Sequence, residues 1–382
     1  MVADNWPIVR DVLTRLEDWA PAWTAEAWDR VGLATGHPQA PARRIWVALE
    51  LDDALLDQAL AASVDLLLLH HPPIFKPLTD LRADRPATAR LLKAAAAGLA
   101  IAAAHTNLDS APGGVNDALA TRLGLVETRV LVPAGTGGQV KLVVFIPPDH
   151  YEEITRALFA AGAGRIGTYR ECAFVNPGNG TFLAPPDGNP YLGRAGEREL
   201  VSELRLETIL PAVSAPAVVA ALKAAHPYEE PAYDLYPLNQ PPVGVGLGRL
   251  GRLDPPQSPE SFATAAAAEL GSPAPLMAGR PPQTLERVAV VGGSGGDMLA
   301  AAAGAGAQML VTGEAHHHSA QEASDLGIGL LVLGHFETEN VIVEPWARRL
   351  ASELAAAGFV CEVRPWTGPG PWRPAPTASG AA

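Results

Sequence analysis

"LLLLHHPPIF", residues 66–75, runs four leucines into two adjacent histidines and halts the chain on two prolines. An unbroken apolar run of this length, closed by Pro72 and Pro73, reads as a buried strand. Neighbouring side chains on a strand point to opposite faces, so His70 and His71 are expected to leave it in different directions. Two imidazoles at the end of an apolar strand need polar partners, because an unpaired buried polar group is costly. Those partners must come from distant parts of the chain.

Working outward, strands alternate with helices. Upstream lie the apolar stretch "RRIWVALE" (43–50) and a helix through "DDALLDQALAA"; residues 5–19 space Trp6, Val9, Leu13, Leu16 and Trp19 as a surface helix. Downstream come a helix from Pro86, the strand "LAIAAAH" and a helix near 115–123. This rhythm is that of an α/β layer architecture. From about Gly138 it changes to β-α-β followed by β-α-β, the order of a ferredoxin-like α+β unit. "GVGLGRLGRL" (244–253) then reads as a returning strand and opens a second α/β stretch that ends at "FVCEVRP". The fold class is therefore α/β, one core built from both ends with an insertion between them. The boundaries are 1–137 and 241–365 for the core, 138–240 for the inserted unit and 366–382 for a Pro/Gly/Ala-rich mobile tail. Such an insertion is inexpensive when its ends lie close together.

The length of 382 residues exceeds one average domain, and 48% hydrophobic content excludes disorder for most of it. A net charge of -13 speaks against general attraction to nucleic acid or anionic membrane. Cys172 and Cys361 make neither a disulfide scaffold nor a thiolate metal cluster, which fits a reducing compartment. The acidic, amphipathic start lacks the form of a secretory signal, and the alanine-rich stretch 94–104 is too short for a membrane span. A cytoplasmic protein is expected, with no membrane and no nucleic acid as partner.

Three polar stations follow strands, where open parallel sheets place their ligand sites. They are His70 with His71, "HTNLD" with His105 and Asp109, and "GHFETEN" with His335, Glu337 and Glu339. His335 and Glu339 are four apart and share a helix face, leaving Glu337 exposed. The stretch between His105 and Asp109 reads as loop. Imidazole and carboxylate without thiolate suit Zn, Fe, Mn, Co or Ni. The expectation is two divalent metal ions per subunit, held by His70, His71, Asp109, His335 and Glu339. His105 is a ligand, an acid-base group or an orienter of a ligand. In "TGEAHHHSA" (312–320) Glu314 could be a base, and one of His316, His317 and His318 could face the same cavity or simply solvent. His105, Glu314 and His318 are taken as the catalytic candidates. "AVVGGSGGDML" (289–299) matches no phosphate-binding loop and reads as a plain glycine turn. His226, Tyr228, Glu229 and Glu230 in the inserted unit suggest a structural or interface role, with ligand sensing as the lesser reading.

The set "WDRVGL", "LLLHHPPIF", "HTNLDSAPGGVND", "VVGGSGGDM", "TGEAHHH" and "GHFETE", in this order, resembles the Nif-three-like dinuclear metal centre family, whose members are often called type 2 homologues of GTP cyclohydrolase I. The central "YRECAF", "GNGTF", "NPYLG" and "HPYEEPAYD" resemble the long bacterial form, with its inserted PII/CutA-like domain. The resemblance implies two related α/β lobes with mixed sheets and a binuclear centre lined by His70, His71, Asp109, His335 and Glu339, with His105 beside it. It also implies a homohexameric ring. Arg30 replaces the family's usual asparagine, and "GHFETE" replaces "GHYATE" without loss of a ligand position. Metal-assisted hydrolysis of a nucleotide or related substrate through a metal-bridged water is the expected function. The rival is a non-enzymatic metal-binding, chaperone or scaffold protein whose inserted domain senses a small molecule.

Overall fold

The computed structural model describes residues 5–134, 138–167, 169–238 and 244–373. Two compact units divide the chain, Met1–Ala134 with Val243–Ala382 and, between them, Gly135–Pro242. In chain order the strands are β1 Gly32–Thr35, β2 Arg44–Ala48, β3 Leu66–Leu69, β4 Ala100–Ala103 and β5 Val126–Pro133. The middle unit holds β6 Gln139–Ile146, β7 Ala173–Leu183, β8 Arg198–Pro211 and β9 Tyr233–Pro237. After it come β10 Gly246–Gln257, β11 Leu276–Gly279, β12 Leu285–Ser294, β13 Met309–Glu314, β14 Gly329–Val332 and β15 Glu362–Pro365.

The larger unit is a two-lobed α/β core with a mixed sheet in each lobe. The first sheet runs β1-β4-β3-β2-β15, with only β1 antiparallel to its neighbour. The second runs β11-β14-β13-β12-β10-β5, with β12, β13 and β14 parallel and the rest antiparallel. β1, β5 and β11, which the sequence reading did not find, all lie at sheet edges. An edge strand packs one neighbour and a partly wet face, so it lacks the dense apolar signature of β3.

β3 shows how the four leucines are used. Leu66 and Leu68 pack with Val9, Val12 and Leu16 of the first helix and with Trp346 and Leu350 of the helix Val343–Ala356. Leu67 and Leu69 pack on the other face with Leu55, Leu56 and Ala59 of the helix Asp53–Ala61 and with Ala94. All four are completely buried, each contributing about 1.5–3 kcal/mol of transfer free energy. A helix from the last third of the chain thus covers the first sheet, and β15 joins its edge. The two ends form one body.

Arg249 on β10 is 3% exposed and joins several segments of this body. Its guanidinium donates to both carboxylate oxygens of Asp117 at 2.7 and 2.8 Å and to the carbonyls of Gly246, Gly248 and Ala111. Arg249→Ala leaves these acceptors without a donor and is expected to cost about 3–5 kcal/mol in chemical denaturation. A loss below about 1 kcal/mol would show that water replaces the fork.

In the smaller unit the sheet order is β7-β8-β6-β9, antiparallel throughout. Helices Tyr151–Ala160 and Ala215–Ala225 close a core around Leu142, Val144, Ile146, Leu158 and Leu222. β7 runs through Pro177 and on past Gly178 and Gly180 to Leu183, although the glycines of "GNGTF" are residues that favour turns. Its position at the edge explains the tolerance, since an edge strand can carry proline.

Trp366, expected at the start of a mobile tail, is bonded into the core instead. Its backbone N–H donates to Val47 O at 2.7 Å and its indole N–H to Gln58 Oε1 at 3.2 Å. The rest of that tail from residue 374 lies outside the described residues. Among the described residues no helix is long and apolar enough to cross a membrane.

Candidate metal centre

Backbone pairing with β2 persists one step beyond β3, because His70 N donates to Ala48 O and His71 N to Leu49 O. The His70 ring is fully buried, and its Nδ1 lies 2.9 Å from the carbonyl oxygen of Ala104. A carbonyl only accepts, so Nδ1 is the donor there and Nε2 is the nitrogen left to face other groups. That nitrogen faces Asp109 Oδ1 at 3.6 Å and Glu339 Oε1 at 3.8 Å, both beyond hydrogen-bond reach. His70 Nε2 and Asp109 Oδ1 are buried without a hydrogen-bond partner among the described residues. Acceptors converging on one another in a dry site repel unless a cation stands between them. This donor set fits a divalent metal.

His71 Nε2 lies 2.8 Å from Glu339 Oε2, so the two histidines of the opening motif face different oxygens of one carboxylate. His335 Nε2 lies 3.0 Å from the same Oε2, as the four-residue spacing on the helix His335–Glu339 predicts. His105 closes the circle, its ring centroid 5.2 Å from that of His70 and 5.7 Å from that of His71. Three overlapping groups result, each with ligand atoms within 4.8 Å of one another: His70, His71 and His105; His71, His335 and Glu339; His70, Asp109 and Glu339. Shared membership of His70, His71 and Glu339 is the arrangement expected for closely spaced ions.

Each remaining imidazole nitrogen meets a carboxylate. His105 Nδ1 lies 2.8 Å from Asp29 Oδ1, His71 Nδ1 3.5 Å from Glu50 Oε2, and His335 Nδ1 3.3 Å from Glu314 Oε1. Such partners fix the ring and direct Nε2 inward. Asp29 is buried, which alone would raise its pKa; hydrogen bonds from His105 and Thr106 outweigh burial and hold it well below the usual carboxylate range. Asp29 and Glu50 carry no sequence signal of this role. "WDRVGL" contained the former, but nothing local to it announces a partner 76 residues away.

Other expectations need correction. The stretch between His105 and Asp109 is not loop: Thr106–Ser110 is a helix of 5 residues, too short to show a periodic pattern. Glu337 is buried, not exposed: its carboxylate lies against Gly334, where an added Cβ would stand 2.0 Å from Oε2, and Gly370 of the C-terminal segment lies against Phe336 and Glu337. The first two glycines of "VVGGSGG" belong to β12 and do not form the expected turn. An added Cβ at Gly293 would stand 2.0 Å from Glu339 Oε1, so this glycine makes room for that carboxylate. Glu314 reaches the centre as His335's partner. His318 does not join it: the side chain is exposed, its Nδ1 lies 3.4 Å from Gln321 Oε1, and it belongs to none of the three groups.

The field of the carboxylates sets the protonation of the metal-free centre. Burial works against charge on His71, yet the bonds and charges of Glu339 and Glu50 outweigh it and push the imidazole up to about 10. His335, likewise opposed by burial and favoured by Glu339, is pushed up to about 9. Both rings hold protons at neutral pH that a metal must displace. Affinity for Zn or Mn is therefore expected to rise with pH between 6 and 8, by up to about tenfold per unit for each proton released. Chelator competition across that range checks it; a flat profile would mean that neither histidine binds through its proton-bearing nitrogen.

Residues 7–367 match the Duf34/NIF3 (NGG1p interacting factor 3) family. The chain is 39% identical over 343 residues to a Bacillus subtilis protein named GTP cyclohydrolase 1 type 2 homolog, covering 90% of this chain and 92% of that protein. A Mycobacterium tuberculosis protein of the same name is 38% identical, with 90% of each covered. Among solved structures, the Bacillus cereus protein related to NIF3 superposes with a TM-score of 0.75 at 35% identity, covering 96% of this chain and 98% of the other. Staphylococcus aureus protein SA1388 gives 0.72 at 27% identity, covering 98% and 100%. With the match running from the first helix to Trp366 and beyond, and with the lobed core and its histidine–carboxylate groups in place, the chain belongs to the Duf34/NIF3 family.

Proposed function

We propose that the chain is a dinuclear metal protein that hydrolyses a nucleotide or related substrate. His70, His71, His105, Asp109, His335 and Glu339 would hold two divalent ions of the Zn, Fe, Mn, Co or Ni type. The observation that carries this reading is the pair of buried, unpartnered acceptors, His70 Nε2 and Asp109 Oδ1, turned toward each other beside Glu339. Bound divalent ions supply Lewis acidity and lower the pKa of water into the neutral range.

The protein's own groups do the rest. Asp29, Glu50 and Glu314 hold the imidazole tautomers. Glu314 also remains about half exposed beside His335, where a carboxylate can pass a proton to or from solvent. His318 has no part in this reading. The relatives' name makes GTP the first substrate to test. Metal-loaded protein should release formate from GTP faster than the Asp109→Ala variant. Equal rates would sink the hydrolase reading, and retained metal would then favour a metal-binding or chaperone role.

The β-α-β-β-α-β succession and the order β7-β8-β6-β9 support reading residues 138–240 as an inserted ferredoxin-like module of the PII/CutA kind. Assembly as a cytoplasmic homohexameric ring completes the proposal, and light scattering of the purified protein tests the subunit number.

A further inference from the structure

The indole of Trp28 and the ring of Phe75 lie 5.6 Å apart, tilted by 57°, and each meets the His105 imidazole edge-on, at 6.0 and 6.3 Å. Both are tethered to the centre. Trp28 directly precedes Asp29, which holds His105, and Phe75 closes the segment that begins with His70 and His71. Yet Trp28 is 54% and Phe75 48% exposed, whereas Trp19 and Trp346 of the same lobe are buried. Large aromatic side chains left open beside a polar centre, and tilted so that they do not stack on each other, leave ring faces free for a ligand.

We infer that Trp28 and Phe75 form an aromatic lip that takes the planar heteroaromatic ring of the substrate, a group of nucleobase size, next to the His105 side of the centre. Stacking is indifferent to the hydrogen-bond pattern of the ring and needs only a flat π-face, which suits this chemistry. The inference rests on the metal reading, since it places the ring against a ligand of that centre.

The test uses metal-loaded full-length protein with guanosine 5′-monophosphate and ribose 5-phosphate as probes, followed by calorimetry. Wild type should prefer the nucleotide. Phe75→Ala and Trp28→Ala should weaken nucleotide binding by about tenfold or more, with Trp28→Phe restoring most of it, while ribose 5-phosphate binding and metal content stay unchanged. Phe75→Ala is the cleaner variant because Trp28 adjoins Asp29. Equal affinity of wild type for both probes, or full nucleotide affinity in both alanine variants, overturns the lip. So does a change in assembly size on either substitution, which would make the rings a contact between copies. Normal metal content without ring preference sinks the lip alone; wild type that takes up no metal sinks the metal reading and the lip together.

Discussion

Glu339→Gln is expected to lower metal affinity by at least about a hundredfold and to remove metal from the purified protein, as judged by elemental analysis and chelator competition. Glu339 is 3% exposed, belongs to two of the three ligand groups, and meets His71 and His335 through one oxygen while His70 faces the other. Burial alone would raise its pKa, but the surrounding imidazoles outweigh burial and hold it well below the usual range. The substitution removes the one negative charge common to both halves of the centre, and one of its two acceptor oxygens, while keeping volume. Without that charge, His71 and His335 lose the main group that raises their pKa values and can shed their protons, so the fold is expected to survive. Full metal retention in a folded Glu339→Gln protein would remove this carboxylate from the ligand set and break the link between the two proposed ion positions.

Gly293→Ala should also damage the centre, by a smaller factor, without replacing any proposed ligand. The new methyl would stand 2.0 Å from Glu339 Oε1, 2.9 Å from its carboxyl carbon and 3.2 Å from His335 Nε2, at a φ of +63° that a side chain adopts only under strain. Its backbone N–H is also bonded to Thr338 Oγ1 at 3.1 Å, so the strand cannot retreat without losing that bond. Strain and overpacking together are expected to cost about 2–4 kcal/mol of stability, with metal affinity falling at least about tenfold. Gly304→Ala is the control. An added Cβ there meets nothing within 4 Å, and the position lies on the helix Leu299–Gly304, so it should be neutral or slightly stabilising. Two variants of equal stability and metal content would show that the β12 glycines have no part in shaping the site.

Much of the architecture was legible because strongly buried elements declare themselves locally. β3 could be read from four leucines, and the helix His335–Glu339 from a four-residue spacing of ligand types. Edge strands β1, β5 and β11 were not legible, since one-sided packing leaves a weak apolar pattern. The helix Thr106–Ser110 was too short for any periodicity to mark it. Four proposed ligands could be named because adjacent histidines and a histidine–glutamate pair at strand exits are uncommon combinations, and Asp109 was named from the "HTNLD" station after β4. His105 was open among three roles in the sequence, and its Nδ1 contact with Asp29 is a long-range feature that no local pattern marks.

The amino-acid order by itself determined where the strongly buried strands and helices alternate and which residue types are available for a metal. Those properties depend on spacing along one element. Tertiary structure alone decided that Asp29, Glu50 and Glu314 back three imidazoles, that Gly293 makes room for Glu339, that Glu337 is buried, and that Trp366 belongs to the core. Each of these is a contact between segments far apart in the chain, fixed by how two sheets and their covering helices meet. Local spacing carries no record of such a crossing.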